Sequence, residues 1–274
     1  MTKNKLNIWN PQTPWEISEK AWDEKSSILN KSHPLKILTS LPKMPGITEE
    51  TAKGLQYKSI KYLLFEDPKH IFLHYFFKKP FKYAYHFIKS ALKKRSYKRD
   101  KDFFLYGIDS VETFQTELKK ENRLLVVGFS YCHKPYECPS GRFSAECQRD
   151  LDNPVCAQCF IGKATHALPL FKGNIQPLFI PTIHYIGEEL FKLKEKHPDK
   201  TLLFLITACE MTLEMFGNWG NMIQAKGIGV RLDGRICNTM KAFELSEKGI
   251  KPGLTVVLPE TQQRILQLIK TLWE

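Results

Sequence analysis

Cysteine is missing from the first 131 residues of this 274-residue chain, which removes thiol chemistry from nearly half of it. Long apolar runs are missing too: no stretch is long enough to cross a bilayer as a helix. The segment Met1-Thr2-Lys3-Asn4-Lys5-Leu6-Asn7-Ile8-Trp9 carries basic residues without the apolar core of a secretory signal, so the chain is expected in the cytoplasm. No internal repeat and no low-complexity linker is found, which argues against a solenoid or a string of tethered modules. Nucleotide loops are absent as well. Gly162-Lys163-Ala164-Thr165 lacks the preceding glycine of a phosphate loop, and Gly227-Ile228-Gly229 leads into an apolar run where a dinucleotide fingerprint would lead out of one. From His70 to Arg99 there is no acidic residue.

What is present begins with charge. Forty-one Lys and Arg against 29 Asp and Glu give a formal +12, a balance that favours acidic partners such as nucleic acid or anionic lipid. Much of the excess sits at Lys78, Lys79, Lys82, Lys89, Lys93, Lys94, Arg95, Lys98 and Arg99. Within that stretch Pro80 suits a first helical turn, and Phe81, Tyr85, Ile88 and Leu92 recur at helical spacing opposite Lys82, Lys89 and Lys93. The spacing predicts an amphipathic helix. Its apolar stripe is expected to pack on the neighbouring domain with the lysines in water; the alternative is an RNA or anionic-membrane contact through residues 70–99.

From Arg123 onward the pattern changes. Leu124–Phe129, Ile175–Ile180, Leu202–Thr207, Ile228–Leu232 and Leu254–Leu258 are short apolar runs without clean alternation, as strands buried on both faces require. Helical patterns lie between them, carried by Ile183, Ile186, Leu190 and Leu193, then by Leu213, Phe216 and Ile223, then from Ala242 to Lys248, and last from Pro259. The expected fold is α/β: an open, mostly parallel sheet of about five strands with helices on both faces, Rossmann-like and three-layered. A helical region over 1–122 precedes a cysteine-rich domain over 123–274, with the charged stretch Lys94–Asp102 as a candidate boundary.

The seven cysteines fall on this frame in a defined way. Parallel strands all point their carboxyl ends toward one crevice. Cys132, Cys209 and Cys237 follow the first, third and fourth of the expected strands, so they should meet at that edge. Cys138, Cys147, Cys156 and Cys159 lie in an insertion that starts at the same edge and ends in a C-x-x-C pair. An odd number of thiols with such a pair, in a reducing compartment, reads as metal-binding or redox-active before it reads as a disulfide scaffold. Thiolates are soft donors for iron–sulfur clusters, zinc or copper, and four complete a tetrahedral or cubane set. A four-plus-three division follows, a closed local site and a second with one position left for substrate, although Cys132 and Cys138 could trade places. Cys209 or Cys237 taken alone could equally be core residues. His133, His166 and His184 are further candidate ligands or proton carriers. Glu210 is a candidate general base, Arg235 a candidate anion holder, and Asp233 a loop-end cap.

These cysteines and their neighbours resemble the cysteine-rich family catalogued as domain of unknown function 116. The matching pieces run in order through Tyr131-Cys132-His133, Cys138-Pro139, Cys147, Cys156-Ala157-Gln158-Cys159-Phe160-Ile161-Gly162, Thr207-Ala208-Cys209-Glu210 and Val230-Arg231-Leu232-Asp233-Gly234-Arg235-Ile236-Cys237-Asn238-Thr239. The likeness covers about residues 124–258 and implies metal held by the cysteines as an iron–sulfur cluster, here of the 4Fe–4S type. No settled activity comes with it. The residues fit three functions: an iron–sulfur protein acting on a small molecule or redox partner, a zinc-stabilised protein that engages RNA or anionic membrane, and a thiol–disulfide switch at Cys156 and Cys159.

Overall fold

The strands of the computed structural model are β1 (Lys98–Asp100), β2 (Phe103–Tyr106), β3 (Arg123–Ser130), β4 (Ile175–Ile180), β5 (Thr201–Ala208), β6 (Lys226–Arg231), β7 (Asp233–Gly234) and β8 (Thr255–Val256). Its helices are α1 (Trp15–Ser32), α2 (Glu49–Ala52), α3 (Leu55–Phe65), α4 (Ile71–Lys78), α5 (Pro80–Ala91), α6 (Val111–Leu118), α7 (Pro154–Gln158), α8 (Phe160–His166), α9 (Ile183–Lys196), α10 (Glu210–Met222), α11 (Met240–Glu247) and α12 (Pro259–Lys270). The structure describes residues 8–36, 46–67, 69–93, 95–251 and 253–274; Lys94 and the amino-terminal residues 1–7, used in the sequence reading, lie outside these.

Six strands form one sheet in the order β1-β2-β6-β5-β3-β4. β3 runs parallel to β4 and β5, and β5 parallel to β6, while β1 and β2 add an antiparallel edge. The fold class is the expected one, an α/β sandwich with a mostly parallel sheet. Both faces are covered. Leu125, Val127 and Phe129 of β3 pack with Trp22, Phe114, Ile161 and Leu268 on one side. Leu124 and Val126 pack with Phe72, Tyr83, Ile186 and Leu213 on the other. This two-sided burial, worth roughly 1.5–3 kcal/mol per large apolar side chain, is why the strand runs do not alternate.

Two details differ from the expectation. β1 and β2 come from the region read as helical, because Lys98-Arg99-Asp100 is an edge strand whose charges reach solvent and Phe103–Tyr106 follows within a few residues. The run at 254–258 contributes only the two residues of β8, which pair with β7 in a separate small sheet and not with the main one. Among the described residues no helix is long and apolar enough to cross a membrane.

The order of the parallel strands positions the site. From β3 the chain moves to β4 on one flank, then returns to lay β5 on the other, so the connection reverses between β3 and β5. In open α/β sheets the crevice beyond the carboxyl ends at such a reversal is the usual place for ligands. Cys132 stands just beyond β3 in a single 3-10 turn, Tyr131–His133, and Cys209 directly follows β5 as the N-cap of α10.

Candidate thiol sites at the sheet edge

The insertion after β3 folds into a cradle. Cys138, Cys147, Cys156 and Cys159 line one small cavity together with Lys134, Pro135 and Gly162. Asn153 caps α7 by accepting the backbone N–H groups of Val155 and Cys156, and Pro154 takes the first helical position, which fixes the start of the turn that presents Cys156. α8 begins immediately afterwards with Cys159 as its N-cap. Gly162 permits this close approach, since a β-carbon there would stand 2.3 Å from the Cys156 carbonyl oxygen.

Burial pushes the thiols of Cys147, Cys156 and Cys159 upward, the last to about 12, but each receives backbone N–H donors that favour the thiolate: from Arg149, from Asp150, and from Gly162 and Ile161 respectively. A buried lysine completes the cradle. Lys134 Nζ donates to the carbonyl oxygens of Ser144 at 2.8 Å and Glu146 at 2.7 Å and to Ser144 Oγ at 2.9 Å, which curls the 138–147 loop around it. Burial lowers the Lys134 ammonium, while Cys138, Cys147 and Cys159 pull the other way.

The other three cysteines gather at the carboxyl edge. The Cys209 and Cys237 thiols are within hydrogen-bonding reach of each other, and Lys251 Nζ lies 3.3 Å from Cys237 Sγ. The Cys209 thiol donates to Cys237, which holds Cys237 below the ordinary thiol range with help from Lys251 and raises Cys209. Burial pushes the Lys251 ammonium down, but Cys132, Cys237 and Cys209 outweigh it and leave it raised. Cys132 Sγ is 3.8 Å from Ser246 Oγ on α11. Glu247, next along that helix, is half-buried and raised to about 8, and its carboxylate accepts the backbone N–H of Ile183 at 2.8 Å. Cys132 and Cys209 also face a mainly apolar cavity of about 180 Å3 between the sheet and helices α9 and α10.

The two groups are joined by Arg142. Its guanidinium donates to the carbonyl oxygens of Lys134 (3.1 Å), Cys132 (3.1 Å), Lys251 (3.2 Å) and Gly253 (2.9 Å), tying the insertion to the backbone that carries the second group. All seven cysteines are free thiols. Among the described residues, no three His, Cys, Asp or Glu side chains already stand in the geometry of a metal ion's ligands.

Several expected participants have other roles. Glu210 is committed to Arg231 at 3.0 Å and Arg99 at 2.7 Å, and Asp233 to Arg231 at 2.7 Å, so Glu210 serves a buried charge network and not as a free base. Arg235 donates its backbone N–H to Leu254 beside β8. His133 is buried against Phe160 and kept neutral, its imidazole lowered to about 4 by burial. His184 stacks on Tyr62, and His166 bonds the Arg149 carbonyl. Gly217-Asn218-Trp219-Gly220-Asn221 lies within α10. Lys134, Arg142, Glu247 and Lys251 have no signal in the sequence beyond their chemistry, because only the fold brings them to the thiols.

The basic helix reverses its expectation. α5 docks through Tyr83, Phe87 and Ser90, the last bonded to Asn218 and Asn221 of α10. Its apolar stripe therefore points outward, with Phe81 90% and Leu92 82% exposed and Tyr85 and Ile88 exposed between them.

No family model matches the chain, and neither the curated proteins nor the solved structures contain a match. The likeness to the cysteine-rich family rests on the quoted motifs alone.

Proposed function

We propose that this chain is a metal-thiolate protein that holds an iron–sulfur cluster through Cys138, Cys147, Cys156 and Cys159. One observation carries the reading: four thiols from one insertion line a single small cavity, and backbone N–H groups are aimed at three of their sulfurs. N–H donors to sulfur and a nearby cation are the means by which proteins stabilise and tune such clusters, and Lys134 offsets the negative charge of four thiolates. A bound cluster would supply electron transfer, sulfur transfer or Lewis acidity. Cys132, Cys209 and Cys237 form the second, open group, with Lys251 holding thiolate character at Cys237 and the adjoining cavity giving a small molecule access.

Anaerobic purification followed by iron, zinc and acid-labile sulfide analysis tests this. A brown protein with iron and sulfide in matching amounts is expected. A colourless protein with stoichiometric zinc would reassign the cradle to a closed structural site. A protein that takes up neither would end the metal reading, and dithiol reactivity at Cys156 and Cys159 in that metal-free chain would favour the redox switch.

A second reading is favoured by the exposed stripe of α5. Phe81, Tyr85, Ile88 and Leu92 face solvent among Lys78, Lys79, Lys82, Lys89 and Lys93, the arrangement of a helix that lies in the interface of an anionic membrane. Flotation with vesicles containing phosphatidylserine should recover the protein at low salt, and vesicles of phosphatidylcholine alone should not. Retention by single-stranded RNA in place of vesicles would assign the face to nucleic acid.

A further inference from the structure

We infer that the cavity between the sheet and helices α9 and α10 is a binding site for an uncharged, apolar small molecule whose single polar end meets Cys132 and Cys209. The inference stands whether or not the thiols carry metal. The carboxyl ends of β3 and β5 and the nearby α11 bring Cys132, Cys209, Ser246 and Glu247 into the lining, and the Tyr106 hydroxyl, which also lines it, is spent on the Leu213 carbonyl; most of the remaining wall is apolar, from Ile186 to Phe72 and Trp219. At about 180 Å3 the space exceeds the engineered cavity of about 150 Å3 that accepts benzene, giving room for roughly six to ten carbon atoms. No Lys, Arg or His stands among the described residues that line the cavity, so an anionic head group would lose its hydration there without gaining a counter-charge.

Two glycines show that the space is kept open. Gly187 continues the inward stripe of α9 with Ile183, Ile186 and Leu190, and Gly220 continues that of α10 with Leu213, Phe216 and Ile223. Both line the cavity, and a β-carbon built on either meets nothing within 4 Å. Neither has positive φ. A glycine inside a helix costs stability relative to alanine, so packing or backbone conformation normally explains one that persists. Gly217 has such an explanation: its β-carbon would stand 2.3 Å from Ser96 Oγ. Gly187 and Gly220 have none except the void that they leave.

The test is isothermal titration of the full chain with 1-octanol, with octanoate as the charged comparison. One-to-one binding of the alcohol with a negative heat-capacity change is expected, and at least tenfold weaker binding of the carboxylate. Gly187→Leu and Gly220→Leu should each weaken octanol at least tenfold while leaving the metal content unchanged. If either leucine variant fails to fold, Gly187→Ala and Gly220→Ala decide: both should raise the melting temperature and lower octanol affinity. No binding by the unaltered chain, unchanged affinity in the glycine variants, or a lower melting temperature in the alanine variants would each overturn the inference. Metal analysis of the same samples keeps this result separate from the fate of the cluster.

Discussion

The two thiol groups lie at one sheet edge but are built by different means. The cradle of Cys138, Cys147, Cys156 and Cys159 is assembled locally, from a continuous insertion whose turns are fixed by Asn153, Gly162 and the buried Lys134. The group of Cys132, Cys209 and Cys237 is assembled by topology: its members are brought together only when β3, β5 and β6 pair. The first is closed and lined by N–H donors, whereas the second opens on an apolar cavity and leans on Lys251. The difference teaches that a local set can be rigid before the sheet is complete, whereas a set spread over a strand-order reversal exists only in the finished fold; on the proposed reading the first would retain its metal and the second would exchange its ligand.

The largest effect that separates them is in metal content. If the cradle holds the proposed cluster, Cys156→Ser should lose its iron and sulfide while Cys209→Ser should leave that signal in place; elemental analysis of both variants reads the result. Equal losses would merge the two groups into one site. Next comes the lysine inside the cradle. Lys134→Met leaves several loop oxygens without their donor and should cost about 3 kcal/mol or more in chemical denaturation, with metal lost alongside. Stability close to that of the unaltered chain would show that the loop holds itself.

Much of this frame is readable before folding. The apolar runs at 124–129, 175–180, 202–207 and 228–232 locate the parallel strands because a core strand must be apolar on both faces, and the thiol spacing separates four cysteines from three. The rest depends on tertiary neighbours. Nothing local distinguishes Lys134 from a surface lysine, or Glu210 from a catalytic base, until Arg231 and Arg99 are placed against it. The period of Phe81, Tyr85, Ile88 and Leu92 defines a stripe without saying what covers it, and here the opposite face is the one that packs. Lys98-Arg99-Asp100 reads as a boundary because an edge strand can keep its charges in water.

Acidity should act on the two neighbourhoods in opposite directions. His133, beside Cys132 and Lys134, has its imidazole lowered to about 4, so the unfolded chain takes up a proton first and stability falls as pH drops from about 6.5 toward about 4. Glu247, beside the open group, is raised to about 8, so its contribution is complete below the ordinary carboxyl range and is lost as pH rises toward about 8. The ceilings are about 3 kcal/mol for His133 and about 5 kcal/mol for Glu247. Denaturation curves across this range should show His133→Phe flattening the acid slope and Glu247→Gln the alkaline one. A slope that survives its own substitution would assign the titration elsewhere.

The smallest stability effect serves as the control. Phe81→Asp with Leu92→Asp, far out on α5, should change stability by less than about 0.5 kcal/mol and leave metal content alone, yet abolish recovery with anionic vesicles. Retained vesicle recovery would remove the membrane reading without touching either thiol group.

Arg142 makes these sites a single mechanical unit. Because one guanidinium grips the carbonyl groups of Lys134, Cys132, Lys251 and Gly253, the cradle cannot set without also drawing taut the chain on which the neighbouring thiol and its ammonium are mounted. The tether works in both directions: whatever loosens the insertion should be felt at Lys251 and Cys132, and whatever shifts that backbone should be felt in the cradle.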